Sequence, residues 1–253
     1  MVTFSACHDV GVTSLSGFPV DAPALTGPVM VDQYWADVTF LHWPVRPADV
    51  ARFYPAGTRP DVFDGSTYVG LVPFTMRHTN LGRGFALPYF GAFHETNVRL
   101  YSVDAAGRHG VVFLSLETAR LAVVPVVRAA LGVPYCWAQM HVSRSGGRIT
   151  YDRERRWPRP GLRSRVTVHV GDPVHPTPLE TWLTARWGAH TRKAGRTWWV
   201  PNEHDPWPLR AAEVVEVDDD LVEASGVPVA GERLRALYSP GVHARFGSPV
   251  RVQ

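Results

Sequence analysis

The chain has 253 residues, 45% of them hydrophobic and 19% charged, which suits one folded domain large enough to bury a core without staples. Its 26 basic and 23 acidic residues leave a net charge of only +3, and the arginines are scattered, which argues against a nucleic-acid partner. Two cysteines outside any C-x-x-C, Cys7 and Cys136, give neither a disulfide framework nor a thiolate zinc site, and no apolar run reads as a signal peptide or membrane span. These totals predict a cytoplasmic protein with no membrane partner; a homo-oligomer is left open.

In chain order, residues 1–36 carry acidic but no basic side chains and are rich in Gly, Pro and Ser, so they read as a loosely structured lead-in or added strands. Residues 37–253 read as a single domain. From Phe40 onward, apolar runs are punctuated by Gly, Pro, Asp or Asn, the pattern of successive antiparallel strands. A short helix starts near Pro47. Strands are predicted at Thr67 to Phe74, Glu95 to Val103 and Val111 to Leu116. A helix from Thr118 to Leu131 follows, stopped by Gly132 and kinked or broken at Pro125. The run RERR at 153–156 reads as a solvated surface loop. In Arg165 to Val170, Val166, Val168 and Val170 share one face, with Arg165, Thr167 and His169 on the other, so one face is buried and one wet. Thr177-Pro-Leu-Glu180 supplies an N-cap, a first-turn proline and a capping-box glutamate for a helix carrying Leu179, Trp182, Leu183 and Trp187. A last strand covers Thr197 to Val200. The fold class is mainly β, with a few helices.

Several catalytic signatures begin and then fail. Gly82-Arg-Gly84 lacks its third glycine, His94-Glu95 is followed by Val98 where a metalloprotease helix needs histidine, and no G-x-S-x-G or G-K-[ST] occurs. No cofactor and no metal site is therefore predicted. Any mechanism that needs an amine has one lysine available, Lys193. The stretch Phe93-His-Glu-Thr-Asn-Val-Arg-Leu-Tyr101 is different. At a period of two, Phe93, Glu95, Asn97, Arg99 and Tyr101 share a face, with a carboxylate and a guanidinium about 13 Å apart at roughly 3.3 Å per residue. Facing solvent this is an ordinary polar row. Facing an interior, it must be paired, and it can hold an anion on Arg99 beside a Glu95 of shifted pKa.

Six motifs occur in order: Phe40-Leu-His-Trp43, Asp64-Gly65 leading into Tyr68-Val-Gly-Leu-Val-Pro-Phe74, Phe93-His-Glu-Thr-Asn-Val-Arg99, Gly110-Val-Val-Phe-Leu-Ser-Leu116, Leu131-Gly-Val-Pro-Tyr135 and His204-Asp-Pro-Trp-Pro-Leu209. From about residue 38 to near the end, the chain resembles the YqjF-like family of uncharacterised conserved proteins, a branch of the acetoacetate decarboxylase-like superfamily. That resemblance implies a closed antiparallel β-barrel with a few flanking helices and an internal cavity. Decarboxylases of the group carry an arginine six residues before a proline, then two lysines, the first of which forms a Schiff base. Arg128, Gly132 and Pro134 keep this frame, but Tyr135 and Cys136 stand where the lysines would be.

A phenol or a thiol cannot condense with a ketone as an amine does, and Lys193, in an Arg-rich stretch, is expected in solvent. Lysine Schiff-base decarboxylation is therefore not expected. The resemblance matches Glu95 to the superfamily's strand glutamate, and makes Glu95 and Tyr135 the catalytic candidates, with Arg99, Asn97 and His204 as substrate-binding candidates. His204 also reads as a loop anchor with Trp207 in the core, and Cys136 as an inert buried thiol. Two readings remain open. One is a barrel that binds, and could transform, an oxo-acid or other carboxylate. The other is a non-catalytic ligand-binding or scaffold barrel in which Glu95 and Arg99 form a structural ion pair.

Overall fold

The computed structural model describes residue 15 and residues 17–82, 84–86 and 91–253, so Cys7 and the first part of the predicted lead-in lie outside the described residues. The strands in chain order are β1 Val31–Val45, β2 Thr58–Pro60, β3 Thr67–Leu81, β4 Phe85–Ala86, β5 Phe93–Asp104, β6 His109–Thr118 and β7 Tyr135–Ser145. They continue as β8 Arg148–Trp157, β9 Arg163–Pro173, β10 Gly188–Lys193, β11 Arg196–His204, β12 Arg210–Asp219, β13 Ala236–Phe246 and β14 Val250–Arg251. Helices are few: α1 Pro47–Val50, α2 Val123–Leu131, α3 Pro178–Thr184 and α4 Leu221–Ala224. β1 starts at Val31 and pairs with β13 and β3, so residues 31–36 are ladder residues.

The strands form one sheet in the order β14-β11-β10-β6-β7-β8-β9-β12-β13-β1-β3-β5-β2, with β4 on β3. β11 also pairs with β13, and β5 also pairs with β6. The fold is mainly β, as predicted, but not antiparallel throughout. β6 runs parallel to β7 over Leu116–Thr118, and parallel to β10 at Ala189–Val111. Parallel neighbours need a crossover, and α2 supplies the one between β6 and β7.

Successive residues of a strand face opposite sides of the sheet, and both sides are packed. Leu41, Leu71, Val98, Leu100, Ile149, Val166 and Val168 belong to one apolar cluster. Phe40, Val72, Phe74, Phe93, Leu116 and Tyr135 belong to another. β9 follows its predicted alternation, with Val166 and Val168 buried and Arg165 and His169 exposed. Thr167, on the outer face, is nonetheless buried, and its hydroxyl bonds Thr150 at 3.0 Å.

The capping box of α3 forms as the sequence indicates: Glu180 donates its amide to the Thr177 hydroxyl at 3.3 Å and accepts from the Thr177 amide at 2.8 Å. The helix ends at Thr184, three residues short of Trp187, whose indole N–H instead donates to the Pro19 carbonyl. The helix predicted from Thr118 starts only at Val123, because Thr118 is still in β6. Pro125 then falls in the first turn, where amides have no intrahelical acceptor, so it neither breaks nor kinks the helix. Gly132 ends it at φ 70, as expected.

The run 153–156 is not a surface loop but part of β8, and the strand period divides it. Arg153 and Arg155 point inward and are each 3% exposed, while Glu154 and Arg156 pair outside. Arg155 forms a two-pronged bond to Glu117, at 3.0 Å and 2.5 Å, and Arg153 bonds Thr96 and Asp219. An alternating charged strand with arginines in its core mimics a solvated run in sequence.

Glu117 is fully buried. Arg155→Met should therefore cost ~3–5 kcal/mol in urea unfolding, because a carboxylate is left buried without its partner. Adding Glu117→Leu should recover most of that loss. Equal losses in the single and double variants would show that packing, and not charge, dominates at this pair.

Candidate functional site

The face of β5 predicted from its period is the one that forms the site. Val98 and Leu100 join the first apolar cluster, whereas Phe93 joins the second, so Glu95, Asn97 and Arg99 project on the Phe93 side. The ladder sets their neighbours. Val72, Asn97, Leu116 and Tyr135 stand abreast on β3, β5, β6 and β7, and Glu95 lies between Phe74 and Thr118.

The β6–α2–β7 crossover brings Tyr135 to Glu95. The Tyr135 hydroxyl donates to Glu95 Oε2 at 2.7 Å, and Glu95 is 3% exposed. Burial pushes the Glu95 pKa up to about 7, against the opposing pull of the Tyr135 bond. Burial, then the Glu95 charge, raises the Tyr135 phenol well above its usual value. Asn97 is buried between them and Arg99 along the strand, and its Oδ1 has no hydrogen-bond partner.

Arg99 sits at a separate centre. Among the described residues no carboxylate lies within 4 Å of it, so the structural Glu95–Arg99 ion pair does not form. Its Nε donates to the Tyr101 hydroxyl at 3.3 Å, and its guanidinium stands 5.7 Å from the Phe40 ring centre. Tyr101 in turn meets His42 Nε2 at 2.5 Å. Gly70, opposite Arg99 in the ladder, makes room for that contact, since a Cβ there would come within 3.2–3.3 Å of the His42 ring and the Tyr101 hydroxyl. Burial, then Arg99 and Arg186, pushes the His42 pKa well down, so the imidazole is neutral.

Arg186 is the second cation here. It is ion-paired to Asp61, donates to the Trp182 carbonyl at 2.8 Å, and stacks 4.0 Å over Trp182 and 4.7 Å over Tyr101. Its Nη2 is buried without a partner. Neither His42 nor Arg186 was identified from sequence. His42 shares a face with Phe40 in the alternation of β1, a signal present in Phe40-Leu-His-Trp43; Arg186, in the irregular segment after α3, left none.

His204 does not bond any of these groups. Its Nδ1 meets the Asp205 carbonyl at 2.7 Å, its ring packs on Trp187 and Trp207 at 4.7 and 4.8 Å, and burial lowers its pKa to about 4. That is the loop-anchor arrangement, although the Arg99 charge also acts on it.

The arginine-proline frame is intact but holds no amine. Arg128 donates to the Tyr135 carbonyl at 2.8 Å. Cys136 is a buried free thiol with its pKa raised by burial to about 11, which leaves it protonated and unreactive. Lys193 is exposed and donates to the Ala130 carbonyl. Among the described residues no three His, Cys, Asp or Glu side chains gather as a metal site. The space beside Glu95, between Phe74, His94, Met140 and Arg153, has no room for a water molecule.

Residues 32–243 match the model of the DUF2071 family, described as an uncharacterised conserved protein. The chain is 28% identical over 199 residues to the uncharacterised protein YqjF of Bacillus subtilis, covering 77% of this chain and 81% of that one. Among solved structures, it is similar to acetoacetate decarboxylase from Legionella pneumophila, with TM-score 0.64, 11% identity, and 99% and 98% of the two chains covered. It is also similar to the enduracididine biosynthesis enzyme MppR in complex with pyruvate, with TM-score 0.56, 15% identity, and 90% and 92% covered. At those identities the likeness shows the fold, which is acetoacetate decarboxylase-like.

The raised Glu95 pKa has a stability consequence. The unfolded chain releases this proton near 4.5 and the folded one holds it to about 7, so stability should fall as pH rises across that interval. The loss should reach ~3 kcal/mol above the window. Glu95→Gln should flatten this slope in urea unfolding followed across it; an unchanged slope would mean that another group titrates.

Proposed function

The chain belongs to the DUF2071 family of uncharacterised conserved proteins, and from that premise we propose that it is an acetoacetate decarboxylase-like barrel that binds a small oxo-acid or other carboxylate. Arg99 is the anion clamp, and Glu95 with Tyr135 forms an acid–base pair. Closure of the sheet is supported by β5, which pairs with both β3 and β6, so that the path from β6 through β7, β8, β9, β12, β13, β1, β3 and β5 returns to β6. The observation that carries the chemistry is the buried Tyr135–Glu95 bond, with a carboxyl whose pKa lies near neutrality. A group so tuned can take a proton from a carbon beside a carbonyl and return it, as enolising, hydrating or aldol-type steps require. None of these steps needs an amine, which suits a frame whose lysine positions hold Tyr135 and Cys136.

The anion clamp is supported by an Arg99 without a carboxylate partner, reinforced by the unpartnered Nη2 of Arg186. The pyruvate complex of MppR supports the oxo-acid class by analogy of fold alone. One observation favours the second reading, a non-catalytic ligand-binding or scaffold barrel: the tight packing beside Glu95 suits a decarboxylase site that has been filled in.

A thermal-shift screen of wild type and Arg99→Ala against 2-oxo, 3-oxo and hydroxy carboxylates tests the anion clamp, and turnover of any hit that survives in wild type and collapses in Glu95→Gln with binding retained separates the two readings. A ligand at one hundred times its Kd should stabilise the wild type by about 2.7 kcal/mol, and Arg99→Ala should lose that shift. No shift across the panel would favour the non-catalytic reading.

A further inference from the structure

The sheet is split beside β6. On the side away from β5, β6 is paired to β10 only at Val111 and to β7 only from Leu116 onward, so residues 112–115 have no ladder partner there. β10 diverges from the same point, with β11 on its other side. The wedge between them is a cleft of about 250 Å³, closed at its far end by Gly132, Val133 and Pro134 and flanked by Phe53 and Pro55. Gly132 presses directly on β10; a Cβ there would lie 2.2 Å from the Arg192 carbonyl.

We infer that this cleft is a second ligand site, and that it takes a small carboxylate with an apolar body. The inference does not rest on the site at Glu95 and Arg99. The walls are mostly apolar, from Phe53, Val112, Phe113, Leu114, Val133 and Pro134. Two of the polar side chains that line them, Thr191 and Arg192, are poorly satisfied. Thr191 is 5% exposed and its hydroxyl has no partner. Two strand edges lack a neighbouring strand across the wedge, and buried backbone groups need partners. Charge selects the ligand's sign: Arg192 lines the cleft, no acidic side chain does, and no carboxylate of the described residues lies within 4 Å of its guanidinium. Among the described residues its guanidinium makes one hydrogen bond, a long one to the Tyr54 carbonyl at 3.4 Å, which leaves donors for an anion. His190 does not compete, because both of its ring nitrogens are committed to Ser102 and Asp104. The volume is below that of sites for drug-sized molecules, and suits one ring or a short chain bearing a single carboxylate.

Benzoate is the probe. Calorimetric titration of the full chain should give saturable binding, weakened roughly tenfold or more in Arg192→Ala, the cost of losing a charge-assisted hydrogen bond. Thr191→Val should weaken it several-fold, and Arg99→Ala should leave it unchanged, which separates this site from the oxo-acid site. Benzyl alcohol, of similar shape but uncharged, should bind much more weakly than benzoate. Arg192 is exposed, so its variant keeps the test independent of folding. Absence of saturation with benzoate, equal affinity for benzyl alcohol, or binding that survives Arg192→Ala and fails in Arg99→Ala would each overturn the inference.

Discussion

Strand β5 has protein packed on both faces, and that double burial dictates what every polar group near it must do. An unpaired polar group in such a place costs ~1–3 kcal/mol, more if charged, so the charged and hydroxyl groups of β5 are matched with partners, most of them from neighbouring strands. On one face Thr96 meets Arg153, and Glu117, beside it in the ladder, meets Arg155. On the other, Glu95 meets Tyr135 and Arg99 meets Tyr101. Register does the pairing. The crossover through α2 sets β7 parallel to β6 with Tyr135 beside Leu116, one row from Glu95. Among the buried side-chain atoms without a partner, Asn97 Oδ1 and Arg186 Nη2 lie at the candidate site, whereas Ser115 Oγ and Arg153 Nε lie by the opposite face of β5.

The same face keeps its two charge types apart. Glu95 and Arg99 are about 13 Å apart along the strand at roughly 3.3 Å per residue, and the side chains that meet them are phenols rather than opposite charges. With no ion pair to Glu95 among the described residues, burial raises its pKa. Two guanidiniums crowd His42, and with burial they hold it neutral. Arg186 has Asp61 for compensation; Arg99 has none. A direct Glu95–Arg99 pair would have removed both features at once, giving an acid of low pKa and a cation already spent.

Much of this was legible in the sequence, because strand alternation and helix caps are local. The β5 face follows from a period of two, and Thr177 with Glu180 forms its box from adjacent residues. What failed depended on burial and on distant partners. The run at 153–156 is charged at every position, and only the supply of Glu117, Asp219 and Thr96 from other strands lets Arg153 and Arg155 turn inward. Strand period offers Glu95 only Arg99 as a partner, whereas its hydrogen-bond partner Tyr135 stands forty residues on and is grouped with it in the sequence only through the family resemblance. Arg186 was invisible for the same reason: it follows the end of α3 in an irregular stretch, and its partners Asp61 and Tyr101 come from far upstream.

The phenol beside Glu95 sets what chemistry the pair can and cannot do. A lysine at 135 would place a cation against Glu95, drive its pKa down and make it a permanent anion. A tyrosine offers a proton without a charge, so the acid stays able to exchange its own near neutrality. The price is nucleophilicity: the buried phenol holds its proton well above its usual value and cannot attack a carbonyl. A carboxyl and a phenol paired in this way can hold and move a proton, but neither can carry a carbonyl compound as a covalent imine. If Arg99 binds a carboxylate as proposed, that ion pair and not an imine at position 135 would hold the substrate in place.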